Sequence, residues 1–337
     1  MPALAVADAL RAEGAEVTFI GGARAEAELV PAAGYPLETI AVEGLSRTRP
    51  LRSPRALALA AAALPRAREL LKRLAPDAVM GAGGYVSGPV GLAALTLGIP
   101  LVLTEADSRL GLTNRMLAPF ARRVCLAFPL PGRGGSRYRV TGRPVLAPSD
   151  DRRAARERLG IALDETCVLV FGGSLGARSI NLAALEAFAG AGFRVLHVSG
   201  RRDHPELSVR ELPEGYDLRE YLALGEFADA LAAADLAVAR AGGSVFEIAA
   251  HGLPAILVPY PHASGDHQSA NARWMSEGGA AITVSDGELT AALLRREAIA
   301  LLADRPRLEA MASAARRLAR PDAAAEVARE LLEAADR

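Results

Sequence analysis

The sequence predicts two doubly wound α/β domains in tandem, each a parallel sheet covered by helices on both faces. Two observations carry that reading. Short apolar segments alternate with helical patterns, and the alternation breaks once, near residue 145, before starting again. Strands buried on both faces read as short, nearly continuous apolar runs, which is the pattern here. At 337 residues the chain has room for two domains of ordinary size.

The first element is a helix. Leu4, Val6, Ala7 and Leu10 form one apolar face that runs into a strand at Val17, Phe19 and Ile20. Strands are expected at 16–20, 37–41, 77–80, 100–104, 123–127 and 137–140, with helical patterns at 53–74, 87–97 and 109–119. In an open doubly wound sheet the first strand is commonly central. A domain that opens on its first helix is therefore expected to carry an interruption in the middle of its sheet, where backbone groups want partners.

The stretch TGRPVLAPSDDRRAARERLG shifts to proline, glycine and charge, as a linker into a new helix does. Strands resume with CVLVF (167–171), FRVLHV (193–198), DLAVAR (235–240), AILVPY (255–260) and AAITV (280–284). The expected domains are 1–145 and 146–320, with a closing helix over 321–337. Ligands bind such sheets at the carboxyl ends of their strands, so a cleft faced by the two domains is the expected site.

Composition excludes several classes. Thirty-nine basic residues balance thirty-nine acidic ones, so no global field favours nucleic acid. Cys125 and Cys167 stand alone, without a CxxC pair, and read as core residues in a reducing compartment rather than metal ligands. No apolar run is long enough to span a membrane, and no signal core follows the N-terminus. A cytoplasmic chain with no zinc site and no cofactor is expected.

Four stretches could carry chemistry. In CVLVFGGSLGARSIN a strand runs through Gly172, Gly173, Ser174, Leu175 and Gly176 into a helix. Backbone N–H groups and the Ser174 hydroxyl suit a phosphate oxygen. The loop lacks the Gly-Lys-Ser/Thr of a nucleotide-triphosphate loop. It also misses the dinucleotide fingerprint, which disfavours a nicotinamide enzyme. A tight turn packing helix on strand is the alternative. In RAGGSVFEIAAHGLPAILVPYPHASGDHQSANA, Gly242, Gly243 and Ser244 open a second helix. Glu247 lies one turn in, where a carboxylate can accept both hydroxyls of a ribose. Asp266, His267, Gln268 and Asn271 open another helix at the same sheet edge.

The third stretch, MGAGGYVSGPVGLAALTLGIPLVLTEADSRLGLTNR, places Gly83, Gly84, Tyr85 and Ser87 in a loop between strand and helix. Glu105 and Asp107 end the next strand, and Asn114 follows. Glu105 could act as a base or contact substrate, whereas capping of the following helix is the commoner explanation for Asp107 and Ser108. The fourth is basic: Arg47, Arg49, Arg52, Arg55, Arg66, Arg68, Lys72 and Arg73 against Glu43 and Glu69, a local net of +6 around ALALAAAAL. Such a surface suits an anionic membrane, or else is a helix with a solvated face.

In order along the chain, GGYVSGPVGLAALTLGIP, GLTNR, VFGGSLGARSIN, RAGGSVFEIAAHGLPAILVPYP, DHQSANA and PDAAAEVARELL resemble the MurG family. The resemblance spans essentially the whole chain. It implies a GT-B fold and inverting transfer of N-acetylglucosamine from UDP-N-acetylglucosamine to the muramyl sugar of undecaprenyl-diphosphate-linked lipid I, at the cytoplasmic face of the membrane. Carried over by motif, it implies donor contacts at Gly173 and Ser174 (diphosphate), Leu224 (uracil), Gly242, Gly243, Ser244, Val245, Phe246 and Glu247 (ribose), and His267 and Gln268 (amino sugar). Acceptor contacts would be Gly83, Gly84, Tyr85, Ser87, Asp107 and Asn114, with Glu105 as catalytic residue.

Three departures accompany the resemblance. The family's His-Glu-x-Asn is Thr104-Glu105-Ala106-Asp107 here, and its Gly-Asn-Pro-Val-Arg is Gly142-Arg143-Pro144-Val145-Leu146. Relatives also begin with a strand and a glycine-rich loop bearing a histidine, upstream of the segment matching Met1–Ala5. The expectation is that Met1 is an internal methionine. The alternatives are another GT-B enzyme acting on UDP-sugars, such as a lipid glycosyltransferase or an epimerase, or a UDP-sugar-binding protein with little turnover.

Overall fold

The computed structural model describes residues 2–23, 25–41, 54–107, 109–149 and 151–336. It divides into two compact units, one of Met1–Leu146 with Arg320–Arg337, the other of Ala147–Ala319.

The first unit runs α1 (Pro2–Ala12), β1 (Phe19–Gly21), α2 (Ala25–Ala32), β2 (Leu37–Thr39), α3 (Pro54–Leu74), β3 (Val79–Gly81), α4 (Ser87–Thr96), β4 (Leu101–Glu105), α5 (Leu112–Leu117), β5 (Arg123–Leu126) and β6 (Tyr138–Val140). Its strands are all parallel but fall into two sheets. β1 pairs with β2, and β3, β4, β5 and β6 pair in sequence order. Among the described residues no ladder joins β1 to β3, which is the interruption a helix-first domain predicts. Ala67, Leu70 and Leu71 of α3 pack with Ala93 and Ala94 of α4 and Leu101 and Leu103 of β4 into one core. Small residues set the spacing: a Cβ on Gly81 would stand 2.7 Å from Leu103, and one on Gly91 2.7 Å from Leu117.

The second unit runs α6 (Arg152–Leu159), β7 (Cys167–Phe171), α7 (Arg178–Ala187), β8 (Arg194–Val198), α8 (His204–Leu207), β9 (Tyr216–Arg219), α9 (Leu224–Ala233), β10 (Leu236–Ala239), α10 (Val245–Ala250), β11 (Ala255–Leu257), α11 (His267–Glu277), β12 (Ala281–Thr283), α12 (Ala291–Ala303) and α13 (Arg305–Leu318). One parallel sheet of order β12-β11-β10-β7-β8-β9 holds it together. From β7 the chain winds outward through β8 and β9, then returns to β10 and winds the other way. The switch point lies between β7 and β10.

The last helix, α14 (Ala323–Ala335), belongs to the first unit. Val327, Leu331 and Ala334, spaced along one helical face, join Val6, Val102 and Cys125 in a second small core. Glu330 pairs with Arg123 at 2.7 Å and with Arg139 at 3.3 Å beside it. Both cysteines are buried and free, and burial pushes each thiol up to about 12. Among the described residues no helix is long and apolar enough to cross a membrane.

Candidate functional site

The loops after β7, β10 and β11 leave neighbouring strands at one edge of the second unit's sheet. In the first of them Gly173 and Gly176 have φ of +89° and +87°, and a Gly176 N–H to Gly173 C=O bond of 2.9 Å closes the turn. Gly172 cannot carry a side chain, because its Cβ would lie 2.4 Å from Ala177 N. Space beside Gly173 is open, and Ser174 is exposed. Glycine thus serves two ends here: close helix–strand packing at 172, and an uncovered backbone at 173.

A second loop locks the first in place. A Cβ on Gly176 would fall 2.0 Å from Ser199 O, and one on Gly200 2.1 Å from Gly176 N. Backbone therefore lies directly on backbone, and Arg201 N–H donates to Ser174 O at 3.2 Å. Asn181, near the start of α7, donates to Ser199 O and to Asp203, both at 2.9 Å. Two hydrogen bonds from Arg202, with that from Asn181, outweigh burial and hold the Asp203 carboxyl below its usual range.

On the other side of the switch point, Gly242 and Gly243 lead to Ser244, which precedes α10 but makes no side-chain cap bond. Val245 and Phe246 are buried; Phe246 stacks on Trp274 at 5.0 Å. Their N–H groups close turns onto Gly242 and Gly243 carbonyls. These two residues, expected as donor contacts, therefore turn side chain and N–H inward and shape the loop. Glu247 is half-buried one turn on.

Gln268 and Asn271 of α11 reach the same loop. Asn271 donates to Ala241 O at 3.0 Å, and Gln268 Nε2 is 4.0 Å from the Cβ position of Gly242. Gln268 Oε1 accepts from Tyr260 N at 2.9 Å, which orients its amide. His267 is half-buried at the first residue of α11, and Leu224 half-buried at the start of α9.

A frame absent from the sequence reading ties these loops together. Arg240 donates to Val258 O and Pro259 O, to Asp286 at 2.6 Å and to Ser179 Oγ at 2.9 Å; Ser179 in turn donates to Asp286. Burial raises the Asp286 pKa, but the Ser179 and Arg240 hydrogen bonds outweigh it and hold the carboxyl low. Four elements thus meet on one guanidinium, whose planar fork suits several acceptors at once.

In the first unit the loops after β3 and β4 also sit on adjacent strands. Gly83 and Gly84 have positive φ and open surroundings, Tyr85 is exposed, and Ser87 donates to Gly83 O. Glu105, expected as the catalytic residue, is buried and already engaged. Its carboxylate accepts from Gly111 N at 2.8 Å, Asn114 Nδ2 at 2.9 Å and Asp107 N at 3.2 Å. Asn114 also donates to Thr104 O. A carboxylate with three donors knots the 105–114 loop. Asp107 is half-buried within that loop; Ser108 lies outside the described residues.

Of the basic stretch, Glu43, Arg47, Arg49 and Arg52 lie outside the described residues, as does the Arg55 side chain. Arg66 pairs with Glu69 at 2.8 Å, Arg73 with Glu38 at 2.7 Å, and Arg68 donates to Thr96. Uncovered apolar side chains gather instead on α4, α5 and the turn that follows α5: Leu92, Leu112, Met116 and Phe120 are exposed, the last at 71%. Arg109, Arg115 and Arg122 are exposed around them. Leu112 and Met116 stand one turn apart on α5, and Phe120 follows in the turn beyond it.

Comparison with known proteins gives this arrangement its class. Residues 1–126 match the glycosyltransferase family 28 N-terminal domain, and residues 167–327 match the family's C-terminal domain. The chain is a glycosyltransferase of the GT-B type. A UDP-N-acetylglucosamine--N-acetylmuramyl-(pentapeptide) pyrophosphoryl-undecaprenol N-acetylglucosamine transferase of Rubrobacter xylanophilus is 44% identical over 342 residues, covering 98% of each chain. A relative of the same name from Moorella thermoacetica is 42% identical, covering 96% of this chain and 92% of its own. The crystal structure of Acinetobacter baumannii MurG superposes with a TM-score of 0.74 at 31% identity, covering 98% of this chain and 95% of that one. The chain belongs to the MurG family.

Proposed function

We propose that this protein transfers N-acetylglucosamine from UDP-N-acetylglucosamine to the muramyl sugar of lipid I, giving lipid II. One arrangement supports the reading most: Ser174 on one side of the switch point, and Glu247 and Gln268 on the other, converge where a nucleotide-sugar binds such a sheet. In this reading Gly173 and Ser174 take the diphosphate, Leu224 lies against uracil, Glu247 accepts the ribose diol, and Gln268 with His267 reads the amino sugar. Gly242, Gly243 and Ser244 form the wall between them.

The acceptor oxygen attacks the anomeric carbon on the face opposite UDP. The bond from that carbon to the β-phosphate oxygen breaks, its electron pair leaves with UDP, and the acceptor proton passes to a base. Inversion follows from the single displacement. In the first unit, Gly83, Gly84, Tyr85 and Ser87, with the Asp107–Asn114 loop held by Glu105, form the acceptor side.

The acceptor is a lipid, and the apolar stripe of α4 and α5 ringed by arginines suits an anionic bilayer surface. The protein works from the cytoplasmic face in this reading.

An acceptor panel tests the proposal. Purified protein in anionic vesicles receives radiolabelled UDP-N-acetylglucosamine with lipid I, with a diacylglycerol, or with neither. Label entering lipid I alone is expected. Label on the diacylglycerol, or an epimerised sugar without acceptor, would assign the fold to a different UDP-sugar enzyme.

A further inference from the structure

Cations at this edge of the second unit are almost all spoken for. Arg178 pairs with Glu206 at 2.6 Å, Arg202 with Asp203 at 2.7 Å, Arg219 with Asp217 at 2.8 Å and Arg240 with Asp286 at 2.6 Å. Arg201 differs. Among the described residues it forms no ion pair with a carboxylate; its guanidinium stands over the Tyr221 ring, 5.1 Å from the centroid. Its backbone N–H holds Ser174 O, and the interlocked Gly176 and Gly200 bring its loop flush against the turn that carries Ser174.

We propose that Arg201 is a donor-binding residue: it supplies the positive charge that meets the diphosphate of the nucleotide-sugar beside Gly173 and Ser174. The assignment rests on the donor reading given above and deepens it. A diphosphate carries at least two negative charges, and a hydroxyl with backbone N–H groups offers dipoles but no compensating charge. Among the described residues of this edge, the guanidinium without a carboxylate partner is attached to the same turn. The aromatic face of Tyr221 holds it without neutralising it. As the anomeric bond breaks, charge grows on the leaving β-phosphate, so the same guanidinium also favours the displacement.

Calorimetric titration of uridine, UMP and UDP into wild type, Arg201→Ala, Arg201→Lys and Arg178→Ala tests it. A lost charge-assisted hydrogen bond should weaken UDP binding by about 10- to 100-fold in Arg201→Ala. UMP should lose less, uridine nothing, and Arg201→Lys should recover part of the loss. Arg178→Ala, whose guanidinium already belongs to Glu206, should bind UDP like wild type. Equal losses for uridine and UDP, an unchanged UDP affinity in Arg201→Ala, or an equal loss in Arg178→Ala would each overturn the assignment. Wild type that binds uridine and UDP equally would also overturn it. Wild type that binds neither would overturn the donor reading, and Arg201 with it.

Discussion

His197 Nε2 lies 3.0 Å from Asn181 Oδ1, and that one contact fixes the proton positions of a buried network. An amide oxygen only accepts, so Nε2 carries the hydrogen. Nδ1 then accepts from the Tyr216 hydroxyl at 2.8 Å. With its oxygen committed to the imidazole, Asn181 turns its NH₂ to Ser199 O and Asp203, pinning the start of α7 to the loop that carries Gly200 and Arg201. A neutral histidine deep in the sheet thus determines how the turn that carries Ser174 sits.

Burial, with a smaller contribution from the neighbouring His204, pushes the His197 pKa down to about 3. The unfolded chain then binds more protons than the native one between pH 3 and about 6.5. Stability is complete above that upper value and falls as pH drops through the window, by up to about 1.4 kcal/mol per pH unit from this group. Denaturant unfolding of wild type and His197→Gln between pH 4 and 7 should show a steeper acid loss in wild type. Parallel curves would contradict the assignment of a neutral imidazole.

Two glycines of one turn should respond very differently to alanine. Gly176→Ala places a Cβ 2.0 Å from Ser199 O, against backbone that cannot move aside. UDP binding should disappear, with or without folding. Gly173→Ala meets open space and pays only for its left-handed backbone, about 1–2 kcal/mol. Thermal unfolding and UDP titration on both variants separate the outcomes.

Arg156 is 1% exposed, yet every nitrogen is engaged: carbonyls of Ala162, Leu163, Glu165 and Ala233, and the carboxylate of Asp235 at 3.0 Å. Asp235 also accepts from Cys167 N at the foot of β7. Arg156→Ala leaves the carbonyls of Ala162, Leu163, Glu165 and Ala233 without this donor, while Asp235 keeps Arg152 and Cys167 N. A loss of about 3–5 kcal/mol is expected from urea unfolding, at about 1–3 kcal/mol for each buried acceptor left unsatisfied.

Glu247→Gln tests the ribose contact by a cycle. Wild type should prefer UDP over 2′-deoxy-UDP by about tenfold or more, and the variant should lose most of that preference. An undiminished preference would move the ribose contact elsewhere.

Membrane docking should depend on the stripe rather than on total charge. Met116→Asp with Phe120→Asp, both at exposed positions, should reduce sedimentation with anionic vesicles severalfold while leaving UDP affinity unchanged. Unchanged sedimentation would return the membrane face to the basic stretch.

The sequence was most legible where strands are buried on both sides. CVLVF was read to the residue as β7, because five fully covered apolar residues admit no polar break. β9 escaped notice because Asp217 and Arg219, which pair with each other, dilute a four-residue strand at the sheet edge. Pro31 hid α2 in the same way. At the carboxyl edge of the second unit's sheet, glycines and polar helix starts make the loops after β7, β10 and β11 legible. The frame that orients them is not legible, since Arg240, Asp286, His197 and the α7 residues Ser179 and Asn181 come from distant parts of the sequence and meet only through the strand order. His197, set between Leu196 and Val198 in FRVLHV, is the hint the sequence offers.

The central claim is most directly tested on the product itself. Lipid I is converted in vesicles with UDP-N-acetylglucosamine, and the lipid is isolated for mass spectrometry and proton NMR. Inverting transfer should give one added N-acetylhexosamine on the muramyl sugar, linked with the anomeric configuration opposite to that in the donor, and one UDP released per lipid. Retained configuration, a sugar added elsewhere, or UDP-sugar bound without any transfer would contradict it.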